Sequence, residues 1–164
     1  MEPGFRAVAF HQLTHRLWGS GHRRLAQIFH AINVRSTGAD IEPGAELSRT
    51  VKIPHANGIV IGYSAQVGEN VLLLHGVTLG VRSVDKVASG QRVHPRLEDN
   101  VVVYAGAVLL GPITVGTGAV IAANAVVLSD VPPYSLVVGV PGRVVKTLPK
   151  GTLDTNHVAL KPHP

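Results

Sequence analysis

An aliphatic side chain recurs at every sixth position through most of this chain, and that spacing restricts the possible folds more than any other feature. Three series keep the spacing, over residues 41–53, 61–79 and 97–127. Four residues after most of these aliphatic positions stands a small or β-branched residue, such as Ala45 or Ala65. A period of six fits neither an α-helix, which repeats after about 3.6 residues, nor an alternating strand. The chain therefore needs a fold whose own repeat is six residues long.

A parallel β-helix of hexapeptide repeats has that period, because three short strands make one triangular coil. The large aliphatic residues then point into the prism and the small residues occupy its corners. Aromatic residues make up only 4% of the chain, whereas it has 18 glycines and 11 prolines. That composition suits tight coils better than a layered domain, and a β-sandwich would not keep one period for so long. We expect a mainly β fold, with the prism over residues 37–146.

The period breaks twice, and both breaks are candidate functional segments. Two extra residues separate Ile53 from Ile61, in the stretch VKIPHANGIVI that contains His55. The second break covers residues 81–96, where the positions that should fill the core hold polar residues. We expect an extruded loop at 81–96, and loops on a rigid scaffold often carry function.

The two ends of the chain differ from the prism. Apolar residues spaced by three and four predict a short helical segment within residues 1–36, interrupted by the glycines at 19 and 21. Residues 147–164 are polar and rich in proline, and we expect them to form a loose tail. With 164 residues the chain fits one domain with small appendages.

Charge and composition exclude several classes of function. The net charge is +5, but no basic run is interleaved with aromatic residues, so we expect no nucleic-acid partner. A phosphate-bearing ligand such as coenzyme A suits the same charge. The chain has no cysteine, which excludes disulfides and thiol chemistry. No apolar stretch is long enough for a membrane span and no signal peptide is evident, so we expect a cytoplasmic protein.

Three of the nine histidines stand at informative positions. His55 and His75 are equivalent once the insertion is discounted, so we expect them on one edge of the prism, and His94 ends the loop. A histidine oriented by a carboxylate such as Asp40 can act as a general base. A three-histidine zinc site, as in hexapeptide-repeat carbonic anhydrases, would need two histidines five residues apart, so we expect no metal. His75 suits a corner hydrogen bond and a substrate-binding role equally well.

Several segments resemble the serine acetyltransferase family of acyltransferases, in order, over about residues 36–146. They are ADIEPGAEL at 39–47, HANGIVIG at 55–62, VLLLHGVTLG at 71–80, HP at 94–95 and VVLSDVPPYSLVVGVPGRVV at 126–145. The resemblance implies a left-handed prism, acetyl transfer from acetyl-CoA to a hydroxyl acceptor, and a homotrimer with the cofactor between adjacent prisms. The family's dimer of trimers depends on a longer helical domain, so a trimer is expected.

The resemblance also implies catalytic roles. His55 matches the family's general base, Asp40 the aspartate that orients it, and His94 a loop histidine that helps to hold the acceptor. His55 would deprotonate the hydroxyl as it attacks the thioester carbonyl, and the imidazolium would then serve the departing thiolate. A backbone N–H near Gly80 is a candidate oxyanion donor.

The cofactor residues follow from the same resemblance. Ala105 and Ala123 match positions whose small side chains let the pantetheine lie along the prism. Arg143 matches a basic residue near the nucleotide end, with Lys146 close by. Both basic residues also fit a plain role in solubility.

The chain differs from the family's pattern at the positions that bind serine in the family. Pro54 replaces the aspartate before the base, Tyr63 replaces a glutamate, and Val93 replaces the arginine before the loop histidine. Arg92 or Arg96 could supply the missing cation. The resemblance therefore favours serine as acceptor but leaves a sugar or another small hydroxyl compound open.

Overall fold

The structure, a computed structural model that describes residues 3–83 and 91–150, consists of two helices followed by a prism of short strands. The helices are α1 (Pro3–Gly19) and α2 (Arg23–Thr37). The strands are β1 Asp40–Ile41, β2 Glu46–Leu47, β3 Val60–Ile61, β4 Gln66–Val67, β5 Leu72–Leu73, β6 Thr78–Gly80, β7 Arg96–Leu97, β8 Val102–Val103, β9 Val108–Leu110, β10 Thr114–Val115, β11 Val120–Ile121, β12 Val126–Val127, β13 Ser135–Val138 and β14 Arg143–Thr147.

The strands form three parallel sheets, one on each face of the prism, which confirms the predicted fold. Sheet A has the order β1-β3-β6-β9-β12, sheet B β10-β7-β4-β2, and sheet C β14-β13-β11-β8-β5. From β3 to β12 the strands pass through sheets A, B and C in that repeating order, so each circuit of the three faces makes one coil. The last strand, β14, turns back and pairs antiparallel with β13.

The strand register locates both breaks in the period. Val60 pairs with Thr78, and Val108 with Val126, so that three repeats of the period separate the partners in a regular coil. Asp40 pairs with Val60, and this coil is longer than a regular one by the two extra positions around His55. Thr78 pairs with Val108, and here the loop lengthens the coil by two whole repeats. Both interruptions predicted from the sequence are therefore confirmed.

The interior of the prism holds the periodic aliphatic residues, as predicted. The largest of them are at most 1% exposed: Ile41, Ile61, Leu73, Leu79, Leu97, Leu109 and Ile121. The small residues at the corners are also fully buried: Ala45, Ala65, Ala107, Ala119 and Ala125. Burying one large aliphatic side chain contributes about 1.5–3 kcal/mol, so the aligned series accounts for much of the stability of the prism.

The two helices bury the opposite face from the one that the apolar spacing marks. Except for the apolar Val8, their buried residues are small or polar: Gly4, Ala7, His11 and Thr14 in α1, and Ala26, Asn33 and Thr37 in α2. The larger apolar side chains are exposed: Phe5, Leu13, Leu25, Ile28 and Ile32. Close packing on the first coil explains this choice, because a Cβ at Gly4 would overlap the carbonyl oxygen of Ile53.

Two boundaries differ from the prediction. Strand β7 begins at Arg96, and Val93, His94 and Pro95 are buried against the prism, so the end of the predicted loop belongs to the scaffold. Strand β14 extends to Thr147, so the predicted tail begins inside a sheet. The centre of the loop (84–90) and most of the tail (151–164) lie outside the described residues. No helix within the described ranges has the length and apolarity to cross a membrane.

Candidate active site

One edge of the prism, where sheet C turns into sheet A, carries two of the candidate histidines. We call it the histidine edge and define it as residues 53–59, 74–77, 104–107, 122–125 and 139–142. The rings of His55 and His75 lie side by side, with centroids 6.3 Å apart and planes at 67°. Both side chains are exposed, and His55 makes no hydrogen bond to any part of the chain that the structure describes. The prediction that these two histidines share an edge is confirmed.

The same edge continues below the histidines as a column of small side chains. The amide of Gly106 donates to the carbonyl of His75 at 3.0 Å, and the amide of Asn124 donates to that of Ala105 at 3.0 Å. Ala105 and Ala123 therefore follow His75 in consecutive coils. Since they have only a methyl group, an extended ligand can approach the backbone along this edge.

The edge ends near one of the two predicted basic residues. The amide of Val126 donates to the carbonyl of Gly139 at 3.0 Å, which stacks the last turn on the coil before it. Arg143 follows this turn directly, and its side chain is exposed. Lys146 pairs with Leu136 in sheet C and lies farther from the edge. The geometry therefore groups Arg143 with the histidine edge more closely than Lys146.

Asp40 has a histidine partner that the sequence did not single out. Its Oδ1 lies 2.8 Å from Nε2 of His30, on α2, and the Asp40 side chain is 47% exposed. No hydrogen bond joins Asp40 to His55 among residues 3–83 and 91–150. The role of Asp40 in orienting His55 therefore stays a prediction, and His30 is the residue that contacts it.

A second edge, where sheet A turns into sheet B, carries the other candidates. We call it the loop edge and define it as residues 42–45, 62–65, 80–83, 91–95 and 111–113. His94 lies directly over Gly62, where an added Cβ would overlap its ring. Nδ1 of His94 accepts from the backbone N–H of Ser64 at 3.2 Å and lies 2.8 Å from its hydroxyl oxygen. Gly80 also stands on this edge, at the end of β6.

The hydrogen bonds of His94 fix its tautomer. A backbone N–H can only donate, so Nδ1 is unprotonated and the ring proton sits on Nε2. Burial lowers the pKa of His94, which keeps the ring neutral at physiological pH. Ser64 completes the arrangement, because its Oγ accepts the amide of Val93 at 3.0 Å. His94 is therefore a rigidly held, neutral N–H donor.

A cavity of about 260 Å³ opens at the loop edge beside His94. Tyr63 lies on one side of it, packed over Gly44 and with its ring centroid 5.8 Å from that of Trp18. Glu46 and Arg92 also line the cavity. Its polar groups and its volume suit a small hydroxyl compound.

The two edges are well separated within one chain. Asn57 and Gly58 form a turn on the histidine edge, and extended backbone from Ile59 to Gly62 then crosses to the loop edge over roughly 10 Å. A general base must lie about 3 Å from the hydroxyl it deprotonates. His55 and the cavity beside His94 of the same chain therefore do not make one reaction site.

Comparisons with known proteins decide the family. A family model for the bacterial transferase hexapeptide (six repeats) matches residues 94–129. The serine acetyltransferase of Mycobacterium tuberculosis is 48% identical over 143 residues, which are 87% of this chain and 61% of that protein. The serine acetyltransferase of Bacillus subtilis is 41% identical over 155 residues, which are 94% of this chain and 70% of that protein. The chain belongs to the serine acetyltransferase family.

Solved structures of the serine acetyltransferase family agree with this assignment. The Neisseria gonorrhoeae enzyme in complex with serine matches with a TM-score of 0.82 and 40% identity, covering 89% of this chain and 58% of that one. The Brucella abortus enzyme in complex with coenzyme A matches with a TM-score of 0.84 and 37% identity, covering 90% and 57%. The prism is accordingly a left-handed parallel β-helix. The chain spans between 57% and 70% of the length of these four proteins.

In this member of the serine acetyltransferase family, Arg92 binds the backbone of its own chain, although the sequence predicted that it could bind the acceptor. Its guanidinium donates to the carbonyls of His94 at 2.8 Å, Ile113 at 3.0 Å and Pro112 at 2.8 Å. Arg92 therefore fastens the loop to the prism, and these bonds compete with any contact to an acceptor carboxylate. Arg96 lies on the outer face of sheet B and lines a separate groove of about 580 Å³.

Sequence reasoning missed His30 and Ser64. His30 shares a helical stripe with Ala26, Asn33 and Thr37, at spacings of four, three and four residues. That stripe of small and polar residues is the buried face of α2, and its spacing in the sequence could have indicated that His30 is partly buried. Ser64 had none, because its role depends on the loop returning to the prism. No cluster of three or more histidine, cysteine or acidic side chains that could hold a metal occurs in the described parts of the chain.

Proposed function

We propose that this chain is an acetyl-CoA-dependent O-acetyltransferase that converts L-serine to O-acetylserine. The observation that carries the proposal is the histidine edge, where an exposed histidine pair is followed by Ala105 and Ala123 in successive coils and by Arg143 after the last turn. Family membership supports the reaction, as do the relatives solved with serine and with coenzyme A. We keep a cytoplasmic location as part of the proposal.

In the proposed mechanism His55 is the general base. Its exposed imidazole takes the proton of the acceptor hydroxyl while the oxygen attacks the thioester carbonyl of acetyl-CoA. The tetrahedral intermediate collapses, the C–S bond breaks, and the imidazolium gives its proton to the thiolate. His75, next to His55, lies at the acceptor side. The column of small side chains leaves room for the pantetheine arm, and Arg143 faces the phosphates.

The separation of the two edges supports a homotrimer as the working unit. A second copy whose loop edge faces this histidine edge would bring its own His94, Tyr63 and Gly80 to His55. A threefold rotation repeats that contact and closes the assembly. In the proposed trimer each reaction site lies between two chains, with the base from one and the acceptor cavity from the other.

A second acceptor class is favoured by the loop edge itself. Arg92 is occupied by three carbonyls, and Tyr63 stands where the family has a carboxylate. An amino acid bound without partners for its charges would lose much of its binding energy, because charged groups are costly to desolvate. We therefore propose a sugar or another small hydroxyl compound as the alternative acceptor.

A thiol-release assay with acetyl-CoA tests both proposals, using serine, homoserine and a panel of sugars and other alcohols as acceptors. Efficient turnover of serine would exclude the altered acceptor. Turnover of a sugar or another alcohol without turnover of serine would support it. Absence of thiol release with every acceptor would count against the transferase itself.

The role of His55 makes a separate prediction. We expect His55→Ala to lower kcat by about 10²–10⁴, the usual contribution of a general base, and Asp40→Asn to lower it less. Acetyl-CoA should still raise the denaturation midpoint of both variants, because ligand binding stabilises the folded state. His22→Ala is the matched control, because His22 is exposed and, within the described ranges, bonds only to Ser20 and neighbouring backbone. Full activity of His55→Ala would overturn the mechanism.

A further inference from the structure

The contact between α2 and the first strand of sheet A gives Asp40 one fixed partner and one open oxygen. His30 Nε2 lies 2.8 Å from Oδ1 of Asp40, and the His30 side chain is 20% exposed. The described residues offer no hydrogen bond to Oδ2. A carboxylate accepts through both oxygens, so Asp40 can bond a second donor while His30 holds it.

His30 is itself rigidly placed. It lies between Ala26 and Asn33 on the buried stripe of α2. The side-chain amide of Asn33 donates to the carbonyl of Ala7 at 3.1 Å, and the hydroxyl of Thr37 donates to the carbonyl of Asn33 at 2.8 Å. The helix ends at Gly38 in a left-handed conformation, whose amide donates to the carbonyl of Val34 at 2.9 Å. These bonds leave the His30 ring little freedom to move away from Asp40.

The turn that carries His55 stacks on the same corner of the first coil. The amide of Gly58 donates to the carbonyl of Gly38 at 2.9 Å, and Asn57 lies against Gly38. Asp40 follows Gly38 by two residues. Asp40, at the start of β1, therefore lies just past the corner that carries His55, in the adjacent coil.

We infer that His30 is a positioning residue, which holds the Asp40 carboxylate through Oδ1 so that Oδ2 is available to orient the base His55. The inference rests on the proposed function. A half-exposed carboxylate on a strand would otherwise sample several rotamers and spend part of its time turned away from the base. Because His30 acts through Asp40 in this arrangement, its removal should affect the chemical step and leave substrate binding unchanged.

The experiment compares His30→Leu, which removes the donor, with His30→Gln, which keeps an N–H at a similar reach. We expect His30→Leu to lower kcat on the order of tenfold, the smaller end of the cost of losing a group that orients a reactive ligand. The KM for acetyl-CoA should not change, and His30→Gln should recover most of the rate. His22→Leu, on an exposed histidine, is the control. His30→Met replaces His30→Leu if the leucine variant does not fold.

A double-mutant cycle decides whether His30 acts through Asp40. In an Asp40→Asn background, His30→Leu should cost little more, because the two changes remove the same interaction. Equal rates for His30→Leu and the unaltered chain would overturn the inference, as would full additivity of the two changes. So would a normal rate in Asp40→Asn. A failure of the proposed function looks different, since the unaltered chain would then release no thiol from acetyl-CoA with any acceptor.

Discussion

At the scale of single residues, the histidines differ by their hydrogen-bond partners far more than by their surroundings in the sequence. His11 is fully buried and its Nε2 lies 3.1 Å from the carbonyl oxygen of Ala45, which anchors α1 to the first coil. His94 is fixed by Ser64, and His55 is exposed without a partner in the described residues. The resemblance assigned a reactive role to His55, and that role stays a prediction.

The buried His11 should make the stability of the fold depend on pH. Burial, together with the nearby charge of His15, lowers the pKa of His11 from 6.5 to about 4. In the unfolded chain His11 is protonated below pH 6.5, whereas in the folded chain it is protonated only below about pH 4. The stabilisation is therefore complete above pH 6.5 and is lost as the pH falls to 4, by roughly 3 kcal/mol.

Urea unfolding at several values between pH 7 and pH 4 measures this dependence. We expect His11→Gln to lower the stability at pH 7 but to flatten its decline with falling pH. His22→Gln is the control, because His22 is exposed, and it should keep the slope of the unaltered chain. The same slope in all three proteins would show that His11 does not titrate as described.

At the scale of elements, the six-residue period predicted the prism well because each strand needs only its own inward residue to be apolar. The helices were predicted from their apolar spacing, yet the opposite face packs on the prism. Which face of a helix is buried depends on close approach to the first coil.

The site was predicted less completely for a similar reason. The contact of Arg92 with Ile113 joins distant segments whose approach no local pattern reveals. The stripe of α2 that carries His30 marks a buried helix face, but it does not identify Asp40 as the partner of His30.

Two glycines of α1 test the close approach of that helix. In Gly4→Ala the new methyl would overlap the Ile53 carbonyl, so we expect a loss of about 1–3 kcal/mol as the helix shifts. Gly19 ends the same helix with nothing within 4 Å of an added Cβ. Gly19→Ala should therefore be neutral or stabilise the helix by up to about 1 kcal/mol. Equal unfolding free energies for both variants would contradict the packing described for α1.

At the scale of the whole molecule, the arrangement of the two edges predicts that inactive chains can rescue each other. In a trimer each proposed site needs His55 from one chain and His94 from the next. A mixture of His55→Ala and His94→Ala chains then forms mixed trimers that contain one intact site each. Random assembly of equal amounts should restore about a quarter of the sites.

The measurement is thiol release after the two variants are unfolded together and refolded, compared with each variant refolded alone. A mixture of His55→Ala with Asp40→Asn is the control, because one chain supplies both residues to each proposed site and no site should recover. Activity of the first mixture no greater than the sum of its parts would mean that each chain builds its site alone.

Because the coils stack at a fixed spacing, the prism also sets the distances between positions along its edge. His55, His75, Ala105, Ala123 and Gly139 stand on five consecutive levels of the histidine edge, and Arg143 follows on β14. Neighbouring strands lie about 4.8 Å apart, so the first and last levels are separated by roughly 19 Å. The length of a ligand that spans these levels must therefore match a whole number of coils. In a relative with one coil more or fewer, both ends of the site would be intact, but the distance between them would differ by one strand spacing.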